Sequence, residues 1–96
     1  MEARIEKIII ETLKELNEEL ENDSFINPNS KTKLYGIDGA MDSLALVSFI
    51  ADSEDKISDK FEKDIILADE KAMSARTSPF RNIESLTSYI KSLLEN

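Results

Sequence analysis

Three consecutive residues, Asp42-Ser43-Leu44, put a carboxylate and a hydroxyl side by side at the start of a long apolar-periodic segment. A serine oxygen there stands at the positive end of a helix, where an attached phosphodiester is well placed against the dipole. The Asp42 carboxylate offers hard oxygens suited to Mg²⁺ during a phosphoryl-type transfer. Gly36 and Gly39, just upstream, keep the approach to the serine uncrowded. The same run also has a purely structural reading. Serine is a favoured N-cap and aspartate is welcome at a helix start, so a capping device would use the same residues.

Little else in the chain is equipped for covalent chemistry. The 96 residues contain no cysteine and no histidine. That excludes disulfides, thiolate nucleophiles and Cys-rich metal sites. It also removes the commonest general base and every Ser-His pairing, which argues against a conventional enzyme and leaves Ser43 without a base to activate it as a hydrolase. The balance of 20 Asp+Glu against 12 Lys+Arg gives a net charge of −8. Such a field repels phosphate backbones and anionic lipid, so neither nucleic acid nor a membrane surface is an expected partner. Proteins with basic docking patches are. Ile8-Ile9-Ile10 is too short to span a membrane, and no secretory signal is visible, so a cytoplasmic monomer is expected.

The elements that would position Ser43 can be read from periodicity. Ile5, Ile8, Ile9, Leu13, Leu16 and Leu20 form one stripe of a helix from about Glu2 to Glu21. Its outer face carries Glu11-Glu15 and Glu15-Glu19, like-charge pairs at i,i+4 that do not stabilise it, so packing must. Residues 22–41 read as a long loop rich in turn chemistry, anchored by Phe25, Ile26, Leu34, Tyr35 and Ile37. A second helix runs from Ser43 to about Lys60, with Leu44, Val47, Ile50, Ala51, Ile57 and Phe61 as its stripe and the Glu54 turn as its weak point. Leu46 and Phe49 lie beside that stripe. Glu62 to Leu67 reads as an extended exit with Ile65-Ile66-Leu67 as a buried plug, followed by a brief helix over about Asp69 to Met73. Ser78-Pro79 breaks any helix there, and Asn82 caps the last one, whose stripe is Ile83, Leu86, Ile90 and Leu93. The expected fold is a single all-α domain over residues 1–96. It is a small four-helix bundle, three longer helices plus a short third, with a long first loop.

This arrangement resembles an acyl carrier protein over essentially the whole chain. The resemblance is carried by Asp42-Ser43-Leu44 opening the second helix of an acidic bundle, and by the ending from Ser78-Pro79-Phe80-Arg81-Asn82-Ile83 to Ile90. It implies that Ser43 carries 4′-phosphopantetheine, donated by coenzyme A through a Mg²⁺-dependent phosphopantetheinyl transferase, with Asp42 and Leu44 as flanking site residues. It also implies acyl groups carried as thioesters between the enzymes of a fatty-acid, polyketide or related pathway. Family members commonly read Leu-Gly-x-Asp-Ser-Leu, whereas here Gly39 sits one place earlier. The second helix is about one turn longer than the common form. Its first turns carry Ala45, Leu46, Ser48 and Phe49, where fatty-acid carriers usually bear carboxylates, and that points to a stand-alone carrier of a specialised pathway.

In this reading Ala45, Ser48, Phe49, Asp52, Asp55 and Asp59 form the docking face for transferase and pathway enzymes, although an acidic run with Glu54 is also what a solvated helix face looks like. Leu46, Phe49, Ile65, Leu67, Ala72 and Met73 are core first, and candidates to line an acyl cleft between helices two and three. Two alternatives stand beside the carrier. One is an unmodified helical interaction module in which Ser43 only caps; the other is a peptidyl or D-alanyl carrier, which shares the serine logic.

Overall fold

From Glu2 to Leu20 there is neither glycine nor proline, and apolar side chains recur at three- and four-residue steps; the chain is helical throughout this span (α1, Glu2–Leu20). Two further helices follow, α2 (Ser43–Phe61) and α3 (Ile83–Glu95), with 3₁₀ turns at Asp23–Phe25 and Pro79–Arg81. The structure, a computed structural model, describes residues 2–35, 39, 41–67 and 79–95. Among these the protein is all-helical, with three α-helices and no strand; Lys33 and Asn82 form a single isolated antiparallel bridge. The short helix expected over Asp69 to Met73 lies outside the described residues, as do Ile37, Ala72, Met73 and Ser78.

The central element is α1. It packs against both α2 and α3, while no Cα of α2 comes within 8 Å of one of α3. Ile5, Ile9 and Leu13 of α1, Leu46, Phe49 and Ile57 of α2, and Ile83, Leu86 and Ile90 of α3 join one core with Phe25, Leu34, Leu67 and Phe80. Each large apolar side chain buried there contributes about 1.5–3 kcal/mol. The α1 and α3 stripes run as their periodicity indicates, except that Leu20 at the end of α1 is exposed.

The stripe of α2 does not. Leu44 and Val47 are 81% and 55% exposed and Ala51 is exposed, while Ala45, Leu46, Phe49, Ile50, Ser53 and Ile57 face inward. The reason is the fourth member of each row. Continuing Leu44-Val47-Ala51 would bury Glu54, whereas Leu46-Phe49/Ile50 continues through Ser53. A small hydroxyl costs far less to bury than a carboxylate. The extended exit is corrected in the same way: Ile65 and Leu67 are buried but Ile66 is 72% exposed, the alternation of an extended chain. Glu54 accepts a hydrogen bond from the Leu67 N–H and so holds that segment against α2.

The long loop is laid over the start of α3. The N–H groups of Leu34 and Tyr35 donate to the carbonyls of Arg81 (2.8 Å) and Phe80 (3.2 Å), and those of Ile83 and Glu84 donate to Thr32 (3.2 Å) and Ser30 (2.9 Å). Phe25 and Leu34 anchor it in the core, whereas Ile26 is 57% exposed and anchors nothing. Asn82 caps α3 as expected: its Oδ1 accepts from the Ser85 N–H at 2.7 Å, and its own N–H reaches Ser85 Oγ at 3.3 Å. Glu62 ends α2 in the left-handed region (φ 51°), with its N–H on the Ser58 carbonyl.

Polar ties also join the helices. Lys56 pairs with Glu15 across α2 and α1, Arg4 stacks 5.3 Å over the Phe61 ring, and Lys63 Nζ donates to the Leu94 carbonyl at 2.8 Å. Lys91 donates to Glu2 at 2.9 Å, and this hydrogen bond with its charge attraction lowers the Glu2 pKa and raises that of Lys91.

Candidate functional site

The start of α2 is built by Asp42, not by Ser43. Asp42 has extended backbone (φ −85°, ψ 177°), and its Oδ1 accepts the Ala45 N–H at 2.8 Å. Its carbonyl accepts the Leu46 N–H at 2.9 Å, the first bond of the helix. Asp42 is therefore the N-cap, and Ser43 is the first helical residue. Of the two capping residues that the sequence offers, the carboxylate wins because it also answers the positive end of the dipole. A carboxylate has about four acceptor positions, so one capping bond leaves Asp42 with capacity for a cation.

Gly39 has a more specific task than keeping space clear. A Cβ placed on it would lie 2.7 Å from the Tyr35 carbonyl carbon and Cα and 2.8 Å from the Leu34 carbonyl oxygen. Only a residue without a side chain lets the returning loop approach that closely. The Met41 N–H then donates to the Leu34 carbonyl at 3.0 Å, and Met41 is itself buried. The loop is thus tied to itself on both sides of residue 40, and Asp42 leaves from a fixed point.

The outward face of α2 begins with apolar side chains. Exposed Leu44 and Val47 directly follow Ser43, then Ser48, Asp52, Asp55 and Asp59 continue the same exposed row at steps of three or four. From Leu44 to Asp59 this row is roughly 22 Å long at 1.5 Å per residue. Ser48, Asp52, Asp55 and Asp59 are on it as the sequence indicated. Ala45 and Phe49 are not: they are 8% and 0% exposed and belong to the core, so neither can meet a docking partner. Leu46, Phe49, Ile65 and Leu67, the cleft candidates among the described residues, are brought together in the one core cluster.

Val47 and two carboxylates of α1 escaped the sequence reading. Val47 was placed on the buried stripe with Leu44, itself expected as a flanking site residue, and both are instead exposed. Glu15 and Glu19 of α1 join Ser48, Ala51 and Asp52 of α2, with Leu16, around a groove of about 360 Å³. The carboxylates missing from the first turns of α2 are thus supplied by the neighbouring helix. Glu15 and Glu19 stand at i,i+4 as a like-charge pair, and Lys56 of α2 offsets their repulsion by pairing with Glu15. Beyond Asp55 the charge becomes mixed, and a separate groove of about 410 Å³ is lined by Arg4, Lys7, Lys56 and Lys60 together with Glu11 and Asp59.

Among the described residues no group of three or more His, Cys, Asp or Glu is placed to hold a metal ion, and no helix is long and apolar enough to cross a membrane. Comparison with known proteins finds no family model, no curated protein and no solved structure that matches the chain.

Proposed function

We propose that this protein is an acyl carrier, a covalently modified shuttle and not itself a catalyst, with 4′-phosphopantetheine on Ser43. The observation that carries the reading is the division of labour at the start of α2. Asp42 caps the helix, so Ser43 is not needed there for stability, yet it stands at the helix N-terminus beside exposed Leu44 and Val47. The donor set fits the group. A helix N-terminus favours an attached phosphodiester. The uncommitted acceptor capacity of Asp42 suits a Mg²⁺ ion shared with a transferase during attachment. When bound, the group supplies a terminal thiol, to which acyl cargo is attached as a thioester.

The residues of this chain then hold and present. Asp42 fixes the helix start, and Gly39 and Met41 fix the loop that leads to it. Leu44 and Val47 offer apolar contact beside the modified serine, and Glu15, Glu19, Asp52, Asp55 and Asp59 guide basic patches of transferase and pathway enzymes toward it. Leu46, Phe49, Ile65 and Leu67 are the candidates among the described residues for sheltering the acyl cargo. The carrier works as a cytoplasmic monomer in a specialised acyl pathway. The alternative of an unmodified module loses its main support once Ser43 is not the cap.

The absence of cysteine gives a clean assay. Incubation with coenzyme A, Mg²⁺ and a broad-specificity phosphopantetheinyl transferase, followed by gel filtration and thiol titration, should give one reactive thiol per chain. Untreated protein and the S43A variant should give none. A treated protein that remains thiol-free refutes the proposal.

A further inference from the structure

The seam between α1 and α2 differs in charge at its two ends. The helices run antiparallel, so Arg4 and Lys7 of α1 lie with Lys60 of α2 around one groove, and Glu19 of α1 lies with Asp52 of α2 around the other. The first groove also holds Lys56, Glu11 and Asp59, and the second holds Glu15. The ion pair of Lys56 with Glu15 stands between them, one partner lining each groove. Both grooves have aliphatic lining as well, Ile8 in the first and Leu16 with Ala51 in the second.

Two properties set this seam apart. Its grooves hold four cations against five carboxylates, nearly balanced in a chain whose net charge is −8, so most of the excess negative charge lies elsewhere. Lys7, Lys60, Glu19 and Asp52 also form no ion pair among the described residues, although Glu11 and Asp59 line the same groove as the two lysines. Side chains of both signs are thus available to a neighbour. Their spacing is self-complementary. Lys60 follows Asp52 by roughly 12 Å along α2, and Glu19 follows Lys7 by roughly 18 Å along α1. The midpoints of these intervals, Lys56 and Leu13, fall at or within one turn of the Lys56–Glu15 pair. A two-fold axis through that pair, perpendicular to the seam, lays the basic end of one copy on the acidic end of another at both ends of the contact.

We infer that this chain pairs with a second copy of itself across the α1–α2 seam, with Glu19 and Asp52 of each copy facing Lys7 and Lys60 of the other. Two 19-residue helices, each ~28 Å long and ~10 Å wide, offer roughly 560 Å² per copy, at the low end of interface sizes, so the pair is weak and reversible. Exposed ion pairs contribute little singly; several held in one contact fix its register and exclude the parallel arrangement, which sets like charge on like. Pairing covers Glu15, Glu19 and Asp52, the carboxylates proposed to guide pathway enzymes, so the pair is the resting form and the monomer the working one. That consequence rests on the carrier reading; the pairing does not.

The test is sedimentation equilibrium of the full chain at about 0.1 M salt, where a Debye length of ~10 Å screens the distant excess charge but not groups in contact. The average mass should rise from monomer toward dimer as concentration approaches about 1 mM, and the rise should vanish at about 1 M salt, where that length is ~3 Å. K7E/K60E and E19K/D52K each set like charge on like at both ends of the contact, so each alone should stay monomeric. Their equimolar mixture brings opposite charges together again at both ends and should associate as the wild type does. Net charge alone gives the opposite order: at two units per reversal, −8 becomes −12 in K7E/K60E and −4 in E19K/D52K, so E19K/D52K by itself should then associate best. All four positions are exposed, so both variants should keep the wild-type helical signal in circular dichroism. A wild type that stays monomeric, E19K/D52K that pairs with itself, or a mixture no better than its components each overturns the inference. The attachment to Ser43 is read separately by the thiol assay and stands or falls on that alone.

Discussion

Replacing Asp42 by alanine removes the side-chain oxygen that accepts the Ala45 N–H at 2.8 Å and the negative charge at the start of α2. Loss of an N-cap of this type costs about 1 kcal/mol, and loss of a charge at the dipole's positive end a further ~0.3–1 kcal/mol. The sum, about 1.5 kcal/mol, corresponds to a fall in melting temperature of roughly 6–12 °C for a chain of this length. D42N keeps an acceptor oxygen and gives up only the charge, so it should lose no more than ~1 kcal/mol. S43A should lie within ~0.5 kcal/mol of wild type, because Ser43 is the first helical residue and alanine is the better helix former. Urea unfolding of the three variants, followed at the far-UV helical signal, separates these values. If S43A loses as much as D42A, or if D42A is as stable as wild type, the assignment of the cap is wrong and the serine has a structural duty after all.

Other consequences follow from the same geometry. G39A forces a Cβ to within 2.7 Å of Tyr35 backbone atoms and should cost about 1–3 kcal/mol, read as a lower urea midpoint; an unchanged midpoint would mean that the loop has room there. L44A alters a side chain that is 81% exposed, so it should keep wild-type stability while slowing the reaction with the transferase, measured as initial rate of thiol appearance. Charge reversal at Asp52, Asp55 and Asp59 should slow that reaction about tenfold or more at low salt and progressively less as salt screens the surface; salt-independent rates would remove these residues from the docking face. The Glu2–Lys91 pair lowers the Glu2 pKa, so its contribution is present above the ordinary carboxylate value and is lost as pH falls through the lowered one. Lys91 is raised, so its part is lost only as alkaline pH passes the raised value. Acid unfolding of E2Q should accordingly be less steep with pH than that of wild type, a small difference because the pair lies at the surface, where solvent screens it.

What could be read from the sequence was whatever depended on local pattern. The α1 and α3 stripes are regular apolar rows, and Asn82 stands where a break at Pro79 meets a new period, so both helices and one cap were legible. Phe25 and Leu34 could be recognised as loop anchors because large apolar side chains in a polar loop have few other places to go. The phase of α2 was not legible, because its true core row passes through Ser53, which looks like a surface residue, and the false row contains Leu44 and Val47, which look like core. Choosing between them needs the position of α1. The choice of Asp42 over Ser43 as cap turns on one backbone conformation. The duty of Gly39 exists only once the loop has returned to Tyr35, and Glu15 and Glu19 join the docking face only because α1 lies alongside α2.

At the candidate site these misreadings point one way. Ala45 and Phe49 are buried and leave the proposed docking face, while exposed Leu44 and Val47, and Glu15 and Glu19 around the groove with Asp52, are added to it. Capping of α2 falls to Asp42, whose Oδ1 accepts the Ala45 N–H.

The most direct test of the central claim is the intact mass of wild-type and S43A protein after incubation with coenzyme A, Mg²⁺ and a phosphopantetheinyl transferase. The account predicts that the wild type gains one phosphopantetheine, located on Ser43 by fragmentation, and that S43A, fully folded, gains nothing. No gain in the wild type with several transferases, or an equal gain in S43A, would contradict it.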